Sequence, residues 1–138
     1  MKRFLALLLT IILGVLCFSA CSDKTDKKTL TADSEEKNVT VKIEDTINKT
    51  LIEGELSLPE NCKAGEYLRQ LCNEKDVTVT GVDEGYITAV GDVKTDGNYA
   101  WMFYINGELS DGGINDYAPK AGDTISLVYL DWTTISFE

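Results

Sequence analysis

Two strand-like runs dominate the C-terminal third of the chain, residues 99–105 and 124–130. They flank a segment rich in glycine, aspartate and asparagine, so the pattern predicts an aromatic hairpin with an elaborated tip. Successive side chains of a strand point to opposite faces, which divides the first run into two sets. One set holds Tyr99, Trp101, Phe103 and Ile105, and the other holds Ala100, Met102, Tyr104 and Asn106. Neither set is plainly polar, so we expect a strand that is central in its sheet or covered on one side.

A second hairpin is predicted earlier in the chain. Val39, Val41 and Ile43 alternate with polar residues, and residues 51–58 alternate again, as half-buried strands do. Residues 45–49 supply the turn between the two runs. Together these segments predict the first hairpin of a sheet.

One amphipathic helix is predicted after this hairpin. Pro59 closes the second strand, and Asn61 or Cys62 is expected at the start of a helix over residues 63–74. Apolar side chains recur there at helical spacing, so one face can pack on the sheet. They are Tyr67, Leu68, Leu71 and Cys72. The order of elements predicts an α+β fold, with a small β-grasp-like mixed sheet and one packed helix.

The segment between the helix and the aromatic hairpin predicts two more strands, over residues 76–82 and 86–90. A turn at 83–85 separates them, and residues 91–98 form a turn-rich connection to the hairpin. The last run, residues 133–138, has strand propensity and is expected to cover a sheet edge.

The N-terminal segment has the pattern of an export signal. Three residues with two positive charges precede an apolar run over residues 5–18, which is too short for an ordinary membrane span. Ser19 and Ala20 then precede Cys21, which resembles a bacterial lipobox, although Phe18 stands where leucine is commonest. We therefore expect a lipoprotein signal peptide over residues 1–20, lipidation of Cys21 and an anchor on the extracytoplasmic face of the cell membrane. An ordinary secretory signal is the alternative.

Composition separates a tether from a domain. Residues 21–37 carry charges of both signs and almost no apolar side chain, which predicts a lipidated flexible tether. Residues 38–138 form the predicted domain and hold 18 acidic and 7 basic residues, a net charge of −11. Nucleic-acid binding depends on lysine and arginine, so this balance argues against it. It also argues against adhesion to an anionic membrane surface and favours simple solubility outside the cell.

The domain holds one even pair of cysteines, Cys62 and Cys72. If all ten steps between them are helical, their Cα atoms lie about 15 Å apart. A disulfide needs a separation below about 7 Å. We therefore expect two free thiols with Cys72 on the buried face, and a disulfide stays open in case the helix begins late.

Enzymatic chemistry has little support in this chain, and we expect a protein that is not an enzyme. The sequence has no histidine, which removes histidine triads, histidine general bases and histidine metal ligands. Asp111, Asp116 and Asp123 cluster near the hairpin tip, but aspartate beside glycine or asparagine is first of all turn chemistry. A calcium site there has oxygen ligands without the EF-hand spacing, so no metal site is predicted.

The hairpin region resembles a known family. The run GGINDYAPKAGDTISLVYLDW, residues 112–132, resembles the C-terminal segment of the transcobalamin and intrinsic-factor proteins. The run WMFYING, residues 101–107, resembles bacterial members of a domain of unknown function named for that likeness. The resemblance covers residues 38–132 and implies a β-grasp domain of the soluble-ligand-binding type. It does not by itself imply cobalamin, because the transcobalamins also use a large helical domain that this chain lacks.

Two functions follow as hypotheses. The first is a membrane-anchored module that binds a small ligand, with cobalamin or another corrinoid as the ligand that the resemblance suggests. Its expected contacts are Trp101, Met102, Tyr104, Asn106, Leu109, Gly112, Gly113, Ile114 and Tyr117. The second is a protein interaction module that docks on another envelope protein or a transporter through the same aromatic face. A plainer alternative for this strand is one core face and one face of half-exposed aromatics.

Overall fold

The computed structural model describes residues 35–136. The elements, in chain order, are β1 (Glu36–Asp45), β2 (Thr50–Pro59), α1 (Ala64–Glu74), β3 (Val79–Thr80), β4 (Ala89–Val90), β5 (Val93–Lys94), β6 (Tyr99–Ile105), β7 (Glu108–Leu109), β8 (Thr124–Asp131) and a 3₁₀-helix (Trp132–Thr134). Within the described residues the fold is mixed α+β, with eight strands in two sheets and one α-helix, which confirms the predicted class. The predicted signal peptide, Cys21 and nearly all of the predicted tether lie outside the described residues.

The main sheet has five strands in the order β2-β1-β8-β6-β7. Strands β1 and β8 are parallel, with Val41 opposite Ile125, and the other neighbours are antiparallel. Both predicted hairpins are confirmed, since β1 pairs with β2 and β6 pairs with β8. Strand β1 begins at Glu36, two residues before the predicted start of the domain at Asn38.

Helix α1 covers one face of the main sheet. Its buried side chains pack with inward-facing residues of β1, β2, β6 and β8 in one core, as the helical spacing predicts. Gly54 of β2 lies under the helix, and a Cβ atom there would be 2.8 Å from Cδ1 of Leu71. A larger residue at that position therefore forces the helix or the leucine side chain to move.

The helix begins slightly later than predicted. Lys63 is its N-cap, and the Glu66 carboxylate accepts a hydrogen bond from the Lys63 backbone N–H at 2.7 Å. Asn61 and Cys62 precede the helix, because the Cys62 N–H donates to the carbonyl of Pro59 in a turn. A side chain three residues into the helix thus fixes its start.

The region between α1 and β6 forms a second sheet of three two-residue strands, in the order β3-β4-β5. The strands predicted over 76–82 and 86–90 are present only as β3 and β4, which pair with each other but have two residues each, and β5 lies in the predicted connection 91–98. Asp76 has φ of 55° and Gly81 has φ of 99°, values that extended strands do not adopt. Gly81 therefore ends β3 directly after Thr80, and Asp76 prevents the strand from beginning at residue 76.

The strand predicted over residues 133–138 is also wrong where the chain is described. The Asp131 carboxylate accepts hydrogen bonds from the Thr133 N–H at 3.0 Å and from its hydroxyl at 2.6 Å. The Thr134 hydroxyl donates to the Asp131 carbonyl at 2.7 Å. These local bonds favour a 3₁₀ turn over an extended backbone.

Cys62 and Cys72 are both free thiols, as expected, although Cys62 precedes the helix and the assumption of ten helical steps between them was wrong. Cys72 is buried, and burial raises the pKa of its thiol to about 11. Across residues 35–136, no helix combines the length and the apolar character that crossing a bilayer requires.

Candidate ligand-binding surface

The side of the main sheet opposite α1 carries an apolar surface, which we call the open face. It consists of half-buried side chains from three neighbouring strands: Ala100, Met102, Tyr104, Leu109, Val128 and Leu130. Met102 is paired with Val128, Ala100 with Leu130, and Tyr104 with Leu109, so these side chains are adjacent across the sheet. Helix α1 and the second sheet both pack on core-side residues. Within residues 35–136, neither of them covers the open face.

Polar and charged residues border the open face on β1 and β2. Ser126 of β8 is paired with both Tyr104 and Lys42, and Lys42 forms an exposed ion pair with Glu53 at 3.8 Å. Leu51 extends the apolar surface beyond Glu44 and is 54% exposed. The arrangement is an apolar centre with a polar border, which is the usual anatomy of a binding surface.

Trp101 lies on the other side of the sheet. Its side chain is 7% exposed, and its indole N–H donates to the Val93 carbonyl at 3.1 Å. Its ring packs against Tyr129 with centroids 5.1 Å apart, and the Tyr129 hydroxyl donates to the Lys94 carbonyl at 2.8 Å. These two aromatic residues hold β5 against the core, so Trp101 does not meet Met102 and Tyr104 on one surface.

A hydrogen-bond network at the hairpin tip contains two more of the predicted contacts. Asn106 donates to the Asp123 carboxylate at 3.0 Å and accepts from the Thr124 N–H at 2.8 Å. The Tyr117 hydroxyl donates to Asp123 at 2.6 Å, and the Lys120 N–H donates to it at 2.8 Å. Asn106 and Tyr117 therefore shape the loop that borders β6 and β8.

The network alters the acidity of its members. The hydrogen bond to the Asp123 carboxylate, assisted by burial, raises the pKa of Tyr117 to about 12. Burial tends to raise the pKa of Asp123, but the hydrogen bonds from Asn106, Tyr117 and Lys120 outweigh burial and hold that pKa below its ordinary value. Asp123 is therefore an anion at neutral pH, which strengthens each bond that it accepts.

The remaining predicted contacts fix the loop to the rest of the domain. Ile114 is 2% exposed; its N–H donates to the Gly85 carbonyl at 2.9 Å, and its carbonyl accepts from the Gly65 N–H at 3.1 Å. The Gly113 N–H donates to the Asp116 carboxylate at 2.8 Å, which confirms turn chemistry for that acid. Gly112 is exposed at the loop surface. Among the residues that the structure describes, no three acids and cysteines group as metal ligands do.

The predicted contacts therefore divide into three groups. Met102, Tyr104 and Leu109 meet on the open face, Trp101 and Ile114 are core residues, and the other four belong to the loop. Val128 and Leu130 were absent from the predicted set. The alternation along β8 carried that signal, because Leu127 and Tyr129 are buried and the residues between and after them face the other way.

Comparisons with known proteins support this fold. Residues 64–131, from α1 to β8, match the model of a family described as a domain of unknown function, DUF4430. A crystal structure of a proposed metal-binding protein from Ruminococcus gnavus superposes with a TM-score of 0.51 at 23% identity, over 70% of this chain and 98% of that one. No curated protein matches the sequence.

A second similar structure is haptocorrin in complex with Cbi, the corrinoid cobinamide. The TM-score is 0.62 at 12% identity, over 72% of this chain and 26% of haptocorrin. This chain thus corresponds to about a quarter of haptocorrin's length. The transcobalamin-like character that the hairpin residues suggested is confirmed at the level of the fold.

Proposed function

We propose that residues 38–138 form a non-enzymatic module of β-grasp type that binds a small ligand on the open face. The observation that carries this proposal is the row of half-buried apolar side chains on a sheet face that α1 leaves uncovered, centred on Met102 and Tyr104. Aromatic rings give large rigid contact areas, and thioethers adapt to irregular ligands.

A corrinoid is the ligand class that we propose first. The fold likeness to haptocorrin, whose structure contains Cbi, supports this choice together with the family resemblance of residues 112–132. A broad ligand also suits a surface made from three adjacent strands. Because the chain has no histidine, it supplies no imidazole to cobalt, and a corrinoid would be held by shape and hydrogen bonds.

We also propose that the protein works as a lipoprotein, anchored through Cys21 on the extracytoplasmic face of the cell membrane. The apolar run at 5–18 and the small residues before Cys21 support this location. A charged tether would then separate the domain from the lipid surface. In this position the module captures a ligand close to the membrane.

The test is a thermal shift of residues 22–138 with cobalamin, cobinamide and unrelated metabolites. Ligand at about one hundred times its dissociation constant adds about 2.7 kcal/mol, which raises the melting midpoint by roughly 10 °C or more. Tyr104→Ala should weaken binding by about tenfold or more, because truncating a contact aromatic removes at least one strong contact. The matched control is Tyr86→Ala, since Tyr86 is 66% exposed and is not part of the open face.

The result has two clear readings. Retained corrinoid affinity in Tyr104→Ala would remove the open face as the site. A flat response across the whole panel would remove the corrinoid and favour the second candidate, docking on another envelope protein. The exposure of Leu51 at 54% and Trp132 at 45% supports that candidate, because large exposed apolar groups are typical of protein contacts.

A further inference from the structure

A cavity of about 330 Å³ lies on the core side of the main sheet, between the first hairpin and the second sheet. We call it the Trp101 pocket. Its walls include Ile43, Asp45, Ile52, Val77, Val93 and Trp101, and the exposed residues Asn48 and Thr50 mark its mouth. The volume is at the lower end of the range for ligand pockets, so only a small molecule fits. The pocket and the open face are on opposite sides of the sheet.

Among the residues that the structure describes, Asp45 is the only charged side chain that lines the Trp101 pocket. Asp45 is 4% exposed and none of the lining residues is basic. Burial tends to raise the pKa of Asp45, but the hydrogen bonds from Asn48 and Ile47 outweigh burial and hold it below its ordinary value. The pocket therefore contains a permanent negative charge beside apolar walls at neutral pH.

The Asp45 carboxylate keeps room for one more donor. One oxygen accepts the N–H groups of Ile47 at 2.9 Å and Asn48 at 3.0 Å, and the other accepts the Asn48 side-chain amide at 2.6 Å. A carboxylate offers about four lone-pair positions, and donors from the described residues take three of them, which leaves one on the second oxygen. A charged N–H donor suits that position, because charge-assisted hydrogen bonds are the strong ones.

The aromatic wall favours the same kind of ligand. Trp101 lines the pocket, and indole is the best partner for a cation among the aromatic side chains. Burial raises the pKa of Tyr129, which packs against Trp101, and the nearby charges of Asp96 and Asp45 raise it further. The negative field thus extends over the aromatic cluster.

We propose that the Trp101 pocket binds a small organic cation, an ammonium group on a short apolar body. The isoleucine and valine side chains enclose the body, while Asp45 and the Trp101 ring hold the ammonium group. An anion is excluded by the same carboxylate. This site is independent of the open face, so either proposal can fail without the other.

The experiment is isothermal titration calorimetry on the full chain in a nonionic detergent. The probes are 3-phenylpropylamine, 3-phenyl-1-propanol and 3-phenylpropionate, which share one body and differ in charge. We expect saturable binding of the amine, affinity for the alcohol lower by about tenfold or more, and none for the acid. Equal binding of the three probes, or none of the amine, overturns the proposal.

Two variants locate the site. Val77→Phe fills the pocket and should lower amine affinity by about tenfold or more, whereas Thr78→Phe places the same ring on the adjacent exposed residue and should not. Asp45→Asn keeps an acceptor but removes the charge, so only the preference for the amine over the alcohol should disappear. Unchanged amine affinity in folded Val77→Phe contradicts the proposal. If Val77→Phe does not fold, Asp45→Asn is the deciding variant. The proposal is contradicted if Asp45→Asn still prefers the amine over the alcohol as strongly as the wild type does.

Discussion

At the scale of single residues, Asp123 connects three parts of the hairpin tip. Its carboxylate accepts bonds from Asn106 at the end of β6, from Tyr117 in the loop and from the Lys120 backbone. The sequence pattern predicted turn chemistry for this acid, and the structure confirms it. The pattern had no means of naming Asn106 as a partner, because the two residues are 17 positions apart and meet only when β6 pairs with β8.

The Tyr117 hydroxyl gives a prediction about stability. Tyr117→Phe should lower the free energy of unfolding at pH 7 by about 1.5–3 kcal/mol, the range for hydrogen bonds to charged groups. The Asp123 pKa is depressed in the folded state, so its stabilisation is present above the unfolded value of 3.8 and is lost as pH falls below it. In Tyr117→Phe, which lacks one of these hydrogen bonds, the pKa of Asp123 is depressed less. That variant should therefore lose less stability than the wild type in acid.

Urea unfolding at pH 7 and at about pH 3 measures this difference, because the midpoint and slope give the free energy. Tyr86→Phe is the matched control, since Tyr86 is 66% exposed. In the alkaline range the pH dependence has the opposite direction, because stability falls as pH rises. The raised pKa of Tyr117 means that wild-type stability falls between its ordinary value of 10 and about 12, and Tyr117→Phe should not show this part of the loss. A constant difference between the two proteins at all pH values would contradict the network.

The predicted site shows what alternation does and does not reveal. Strand periodicity alone places Trp101 and Met102 on opposite faces, and the structure agrees. It does not say which face is covered, because both carry aromatic residues. That answer depends on the position of α1 and on the Val93 carbonyl that accepts the Trp101 N–H, and both are tertiary features.

At the scale of elements, predictability follows length. The ten-residue strands β1 and β2 and the eleven-residue helix each repeat their pattern several times, so periodicity finds them. The strands of the second sheet have two residues each and contain no period. Their positions are set by left-handed residues and by the aromatic pair Trp101 and Tyr129. A periodic pattern of apolar residues detects neither of these.

The contact between two loops at Gly113 gives a prediction at this scale. A Cβ atom on Gly113 would lie 2.7 Å from the Gly85 carbonyl oxygen, a backbone atom that has little freedom to move. Gly113→Ala should therefore destabilise the domain by about 1–3 kcal/mol. Gly112→Ala is the control, because its nearest atom is a mobile side-chain oxygen of Asp116 at 3.3 Å. Thermal melts compare the two variants, and equal midpoints would show that the loops separate easily.

At the scale of the whole molecule, the class of fold was accessible from the order of elements. The parallel pairing of β1 with β8 was not, since it joins the first and last strands of the described chain. No local sequence pattern predicts such a contact. The entropy lost on closing so long a loop is offset only when the core forms. That pairing makes the two hairpins one sheet, and so it also produces the open face and the polar border beside it.

The domain's net charge of −11 sharpens the prediction on membrane attachment. An acidic domain has no electrostatic attraction to anionic lipids, so we expect any membrane attachment to come from a lipid on Cys21. In cells fed an alkyne analogue of palmitate, the wild-type protein should carry the label and Cys21→Ser should not. Cys17→Ser is the matched control and should be labelled, because residue 17 lies within the apolar run. Label on Cys21→Ser would exclude lipidation at this residue. Absence of label on wild type and both variants would favour an ordinary secretory signal, and the module would then act free of the membrane.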